Sequence, residues 1–184
     1  MNERVPTFET KRLVLRDHRA SDIPSYQRYF DNYEVIRHLS RVVPWPYPAD
    51  GVETFLKTVI DPHQGINQWF WVITLKEEPE EAVGCVHLWR NRRPEHRGFW
   101  LEEKHCGKGI ITEAVRPIID YAFESLRFEN LIFSNALGNV RSRRIKEKTG
   151  ARFLPTEAMK FIDPAIDTRE LWELQKSEWE NAKP

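Results

Sequence analysis

The residues best suited to chemistry fall in two short stretches. The first is Lys104-His105-Cys106-Gly107-Lys108-Gly109, which follows a strand-like run and opens a helical one. Its two glycines let the backbone curl so that successive N–H groups point into one concavity, and the helix N-terminus adds partial positive charge. Such a nest suits an anion, and a pyrophosphate fits it. A Walker loop is excluded, because no Gly-Lys-Ser/Thr stands at the required spacing. A Rossmann fingerprint fails for want of its third glycine. A plain tight turn fits the same residues equally well. The second stretch, Asn139 to Thr149, reads as a helix that carries Asn139 and Ser142 three residues apart on one face.

Single residues add less. Cys106 has no His-Asp pair arranged to activate it, so a covalent step through its sulfur is not expected. Cys85 belongs in the core. His87, two residues on in the same strand, shares its face and reads first as a structural histidine, second as part of an acceptor pocket.

The elements that must position these groups follow from pattern. Arg12 to Arg16 alternates as a first strand, and Ser21 and Asp22 offer N-cap oxygens for a helix to about Asn32. That helix buries Ile23, Tyr26, Tyr29 and Phe30. Pro44 to Pro48 is a stiff aromatic loop, with a helix from Asp50 to Val59. Trp69 to Leu75 and Ala82 to Trp89 form a hairpin, a polar turn spans Asn91 to Glu95, and Arg97 to Leu101 is a third strand. A helix from Ile110 to Ser125 contains Pro117, so a kink or early break is expected there. Leu131 to Asn135 is a strand, and Gly150 ends the helix after it. Arg152 to Leu154, Lys160 to Ile162 and Thr168 to Gln175 complete the strands.

Composition narrows the class. The 184 residues suit one compact domain, residues 1–184, without repeat or linker. Lysine plus arginine and aspartate plus glutamate number 28 each, which leaves no global pull toward nucleic acid or an acidic membrane. The two cysteines, Cys85 and Cys106, have no metal-ligand spacing, and no metal is expected. The polar start and the lack of a long apolar run point to a cytoplasmic protein. Seven tryptophans read as a rich core rather than an aromatic ligand pocket.

Lys104 to Gly109 resembles the Q/R-x-x-G-x-G/A signature of the GNAT acetyltransferases, with Lys104 in place of the usual Gln or Arg. Extended from Gly98-Phe99-Trp100-Leu101 to Gly109-Ile110-Ile111-Thr112-Glu113-Ala114, it is similar to the subgroup that acetylates ribosomal-protein N-termini. Asn139 to Ala151 matches that subgroup's N-x-x-S-x-x-x-x-E-K-x-G-[FA] pattern. Weaker echoes occur at Glu9 to Leu13, at Pro46 to Pro48 and from Leu171 to Trp179.

The resemblance implies an α/β (α+β) fold: one GNAT-like domain, a mixed twisted sheet of about seven strands with a central splay, and helices on both faces. Acetyl-CoA would wedge between the strands Arg97 to Leu101 and Leu131 to Asn135, its pantetheine pairing with backbone along Phe99, Trp100 and Leu101. Amides of Cys106, Gly107, Lys108, Gly109 and Ile110 would hold the pyrophosphate, with Lys108 nearby as a point charge. Asn139 would contact the cofactor arm. The Ser142 hydroxyl would approach the sulfur and protonate the departing thiolate, or Ser142 would simply make room. The cationic run Arg141, Arg143, Arg144, Lys146 and Lys148 would be a solvated face, one or two members meeting the 3′-phosphate. Family members often carry a Glu where His96 aligns, so His96 is a candidate base and a surface turn histidine is its plainer reading.

The implied reaction is direct attack by a neutral amine on the thioester, with backbone N–H groups stabilising the oxyanion. The expected acceptor is a protein or peptide N-terminal amine; a polyamine, an aminoglycoside or an amino acid is the alternative. A non-catalytic acyl-CoA-binding module is the reading from another class. Partners are acetyl-CoA and the amine, without direct nucleic-acid or membrane contact, in a monomer or homodimer. Val42 to Pro48 and the helix after it should line the acceptor side.

Overall fold

A computed structural model describes residues 4–90 and 94–182. Residues 91–93, part of the expected polar turn, lie outside the described residues. The strands are β1 (Phe8–Glu9), β2 (Leu13–Arg16), β3 (Gln68–Leu75), β4 (Gly84–Trp89), β5 (Arg97–Leu101), β6 (Asn130–Ala136), β7 (Arg152–Ala158) and β8 (Thr168–Gln175). They form one sheet in the order β1-β2-β3-β4-β5-β6-β8-β7, antiparallel except where β5 meets β6. The α/β fold with a mixed sheet is thus as expected, with eight strands where about seven were expected. Phe8–Glu9 is an added strand, while the expected strand Lys160 to Ile162 reduces to an isolated bridge between Ser40 and Phe161.

Helices cover both faces. The chain forms α1 (Ile23–Phe30), α2 (Tyr33–Ile36), α3 (Gly51–Phe55), α4 (Ile110–Glu124), α5 (Val140–Lys148) and α6 (Lys176–Ala182). Side chains on β3 alternate between two apolar clusters. Trp69, Trp71 and Ile73 pack with α4, Ile145 of α5 and Trp179 of α6. Phe70 and Val72 pack with Tyr26, Phe30, Ile36, Val52 and Leu56 from the α1 to α3 side. Buried on both faces, β3 has to be an almost unbroken apolar run. The tryptophans mostly serve these cores.

Two local expectations change. Helix α4 runs through Pro117 without an early break. Its buried stripe of Ile111, Ala114, Val115, Ile118, Ile119 and Ala122 sits on the sheet, and that packing outweighs one missing N–H. Helix α1 ends at Phe30, and Asn32 caps α2 instead, its Oδ1 accepting from Glu34 N at 3.0 Å.

Asp22 does not cap α1 through its side chain. Its carboxylate accepts from Arg16 Nη1 and Nη2, both at 2.8 Å, and from Arg19 N at 2.7 Å. Both partners of this pair are buried. Removing one leaves a desolvated charge, so Asp22→Ala should cost about 3–5 kcal/mol of stability. Urea unfolding measures this directly; an unchanged midpoint would mean the pair does not hold the α1 side of the core.

Candidate active site

The cleft exists because β5 and β6 diverge. They are parallel neighbours whose register consists of a single pair, Arg97 opposite Phe133. His96 N donates to Ile132 O at 2.8 Å just before it. Beyond that point β5 stays bonded to β4 as far as Leu101, and β6 stays bonded to β8 as far as Ala136. Each strand follows its outer partner, and a wedge opens between them. The resulting cleft is about 1480 Å³, larger than the roughly 300–1,000 Å³ of an ordinary small-molecule pocket. It lies at the carboxyl ends of the two parallel strands, where open sheets bind their ligands.

The glycine loop forms one wall. Gly107 and Gly109 both have φ +77°, the left-handed region that glycine enters without strain. Cys106 N donates to Glu103 O at 3.0 Å, and the next amide engaged in the fold's own bonds is Glu113 N, which donates to Gly109 O at 3.0 Å. Among the described residues, the amides from Gly107 to Thr112 donate to no internal acceptor. Six consecutive unpaired N–H groups at the start of a 15-residue helix give a site of positive potential. The loop is held from outside. Glu113 accepts from Thr10 Oγ1 at 2.6 Å, Arg12 N at 2.9 Å and Arg12 Nε at 2.7 Å, while Arg12 Nη1 donates to Lys108 O at 2.9 Å. Burial would raise the Glu113 pKa, but these three donors prevail and hold the carboxyl below its usual range.

Helix α5 forms the opposite wall. Asn139 caps it, its Oδ1 accepting from Ser142 N at 3.1 Å. Ser142 is buried, and its Oγ accepts from Lys146 Nζ at 2.6 Å. Lys146 is only 1% exposed, which corrects its expected place on a solvated cationic face. Burial, with Arg97 adding to it, drives the Lys146 pKa well down. The spacing carried the signal: residues four apart share a helix face, so Lys146 follows Ser142 inward. Of the other cations in this run, Arg141, Arg144 and Lys148 line the cleft, and Arg143 pairs with Glu147 and Glu170.

Of the residues expected at the site, Phe99, Trp100, Leu101, Cys106, Gly107, Gly109, Ile110, Asn139 and Ser142 all line the cleft. Lys108 does not; it borders a separate hollow with Arg12 and His105. His96 is also absent from the lining. Its Nδ1 accepts from Ile132 N at 2.9 Å, and its ring packs edge-on against Phe128, with centroids 5.4 Å apart. Burial, then Arg90, pulls its pKa down. This ring supports the strand contact. The adjacent Glu95 does line the cleft, paired at 3.1 Å with Arg169, another lining residue.

Cys106 is half-buried, and burial raises its thiol pKa, which disfavours the thiolate. Cys85 is pushed up to about 12 by burial. His87 lies within reach of Gln68 Oε1, 2.9 Å from its Nε2, and also borders the cleft. On the α1 to α3 side, Val42, Val43, Pro44, Tyr47 and Pro48 line the cleft as expected of that loop, whereas Trp45 does not and lies 5.4 Å from the Tyr33 ring. No helix among the described residues is long and apolar enough to cross a membrane, and no cluster there could hold a metal ion.

Comparisons with known proteins agree with this architecture. A putative ribosomal N-acetyltransferase, YdaF of Bacillus subtilis, is 35% identical over 96 residues, covering 50% of this chain and 51% of the relative. The chain thus matches about half the length of that relative. The crystal structure of a ribosomal-protein-S5-alanine acetyltransferase from Vibrio fischeri shares the fold, with a TM-score of 0.79 at 20% identity over 98% of this chain and 100% of the other. The same holds for Mycobacterium smegmatis RimJ in complex with CoA-disulfide, with a TM-score of 0.79 at 17% identity over 97% and 91%. Residues 12–152 match the model of the acetyltransferase (GNAT) domain, and the chain belongs to that family.

Proposed function

We propose that the chain, as one domain, is an acetyl-CoA-dependent N-acetyltransferase whose acceptor is a protein or peptide N-terminal amine. The observation that carries this is the row of unpaired amides from Gly107 to Thr112 at the mouth of an open strand wedge. The residues fit the cofactor: the loop offers donors for a diphosphate, and the free inner edge of β5 offers backbone to an amide-bearing arm. Acetyl-CoA supplies an acyl group already activated as a thioester. The family match and the names of the relatives support the reaction and the acceptor class.

The chain's own groups then divide the work. Lys146 donates an N–H to Ser142 Oγ, which leaves the Ser142 hydroxyl proton available to the cleft. Ser142 is thereby set to donate to the departing sulfur, with Lys146 as its positioning residue. Glu95, on the cleft wall, is the carboxylate placed to receive a proton from the amine, directly or through water. An α-amino group with a pKa near 8 is about a tenth neutral at pH 7, whereas a lysine amine is neutral under about 0.1% of the time. A weak base therefore suffices for an N-terminus.

Thiol release from acetyl-CoA should be stimulated by peptides with free N-termini and not by N-blocked peptides carrying lysine. Stimulation by small amines alone would overturn the acceptor. Ser142→Ala should lower kcat by about 10- to 100-fold with little change in KM for acetyl-CoA, as expected when a proton donor is lost. Glu95→Gln should depress kcat more than His96→Gln does; the reverse order would return the base role to His96.

A further inference from the structure

The proton that leaves with the sulfur needs a source. This step rests on the acyl-CoA reading above, in which the departing thiolate is protonated through Ser142. A serine hydroxyl cannot supply that proton by itself. Like water, with a pKa of about 15.7, an aliphatic hydroxyl is a far weaker acid than a thiol near 8.5. It can pass a proton on only by taking one in at the same moment. The group behind Ser142 therefore decides the step.

That group is Lys146, one turn further along α5. Its Nζ lies 2.6 Å from Ser142 Oγ. Ser142 lines the cleft, whereas Lys146 stands behind the lining and is buried. Among the described residues, Ser142 Oγ is the one hydrogen-bond acceptor of Lys146 Nζ, and no carboxylate lies within ion-pair distance of it. Two charged groups act on it from the sheet. Arg97 of β5 is also buried, and both cations face the Phe99 ring, Lys146 Nζ 5.6 Å and the guanidinium 5.8 Å from its centroid. Glu170 of β8 opposes Arg97, but its oxygens are engaged by Asn135 Nδ2 at 2.9 Å and Arg143 Nη1 at 3.2 Å. Strand β6 carries no titratable side chain, and those of α4 turn elsewhere, Glu113 to Arg12 and Asp120 to Trp179. On α5 itself, Arg143 pairs with Glu147, while Arg141, Arg144 and Lys148 line the cleft. Burial first, and Arg97 second, hold the Lys146 pKa well below that of an ordinary lysine. An ordinary ammonium, near 10.4, is a weaker acid than a thiol; one held down in this way can give its proton to a departing thiolate.

We propose that Lys146 is the proton source for the leaving group, acting through Ser142 in a two-proton relay. The amine nitrogen bonds to the thioester carbon, and the C–S bond breaks with its electron pair on sulfur. Ser142 gives its hydroxyl proton to the sulfur while Lys146 Nζ gives one to Ser142 Oγ. CoA leaves as the thiol, Ser142 is again a hydroxyl, and Lys146 is left a neutral amine. The acceptor's proton goes to Glu95 or water. Lys146 is reprotonated from solvent through Ser142 once the cleft empties.

The test follows kcat with one acceptor peptide at saturation, from about pH 6 to about pH 10, across the thiol and lysine ranges. Calorimetry with CoA accompanies it. The active form carries the proton on Lys146, so wild-type kcat should fall as pH rises through a pKa below the ordinary lysine range. Lys146→Met should lose about 10- to 100-fold in kcat, as much as Ser142→Ala, with little change in KM for acetyl-CoA, and its basic limb should vanish. The double variant should be no slower than either single one. Lys146→Gln separates a relay from positioning alone, because its amide N–H can hold Ser142 Oγ but has no proton to release; it should be as slow as Lys146→Met. Exchanging a buried amine for an apolar chain should leave the melting temperature of Lys146→Met equal or higher. A Lys146→Gln chain with wild-type kcat overturns the relay. So does a wild-type kcat that does not fall at high pH, a result that needs no variant to fold. If CoA fails to bind the wild-type chain, the acyl-CoA reading falls and takes the relay with it; CoA binding with Lys146→Met as fast as wild type removes the relay alone.

Discussion

Strands β5 and β6 are committed outward: β5 is bonded along its length to β4, and β6 to β8. They can share only the bonds around Arg97 and Phe133 before their directions part. That geometric constraint makes everything else at the site necessary. It exposes an inner strand edge that would otherwise be a liability, and it aims the carboxyl ends of both strands at the loop and at α5. The loop then brings unpaired amides to one side of the opening, and α5 brings Asn139 and Ser142 to the other. The unpaired donors along the loop are all backbone amides.

This explains what could be read from the residues. The two glycines flanking Lys108 and the helical spacing of Asn139 and Ser142 are local features, written in a few adjacent positions, and both appear in the structure where they were expected. The long strands were legible by alternation or by unbroken apolar runs. The short strand Phe8–Glu9 was not, since two residues carry no period. Pro117 misled because the sequence shows the missing donor but not the apolar stripe packed on the sheet. Glu95 and His96 are neighbours that the structure separates. Titration range favoured the histidine, while strand geometry turned its ring onto Phe128 and left Glu95 at the cleft.

The buried cations are a different kind of miss. Lys146 sits in a run of arginines and lysines and looked like one more solvated charge, and Arg97 stood only as the first residue of an expected strand. Their burial is a tertiary fact: Arg97 packs on Phe133 of β6, and Lys146 reaches Phe99 of β5. A low-dielectric setting changes what such groups can do: an amine held there gives up its proton readily.

Glu113 links distant parts of the molecule. Its carboxylate gathers Thr10 and Arg12, from the turn between β1 and β2, onto the first turn of α4, and Arg12 reaches on to the carbonyl of Lys108. The glycine loop is therefore tethered to the N-terminal hairpin across the sheet rather than by its own sequence. Sequence drift in that hairpin would therefore loosen the loop that carries the unpaired amides, although the hairpin contributes none of those amides itself.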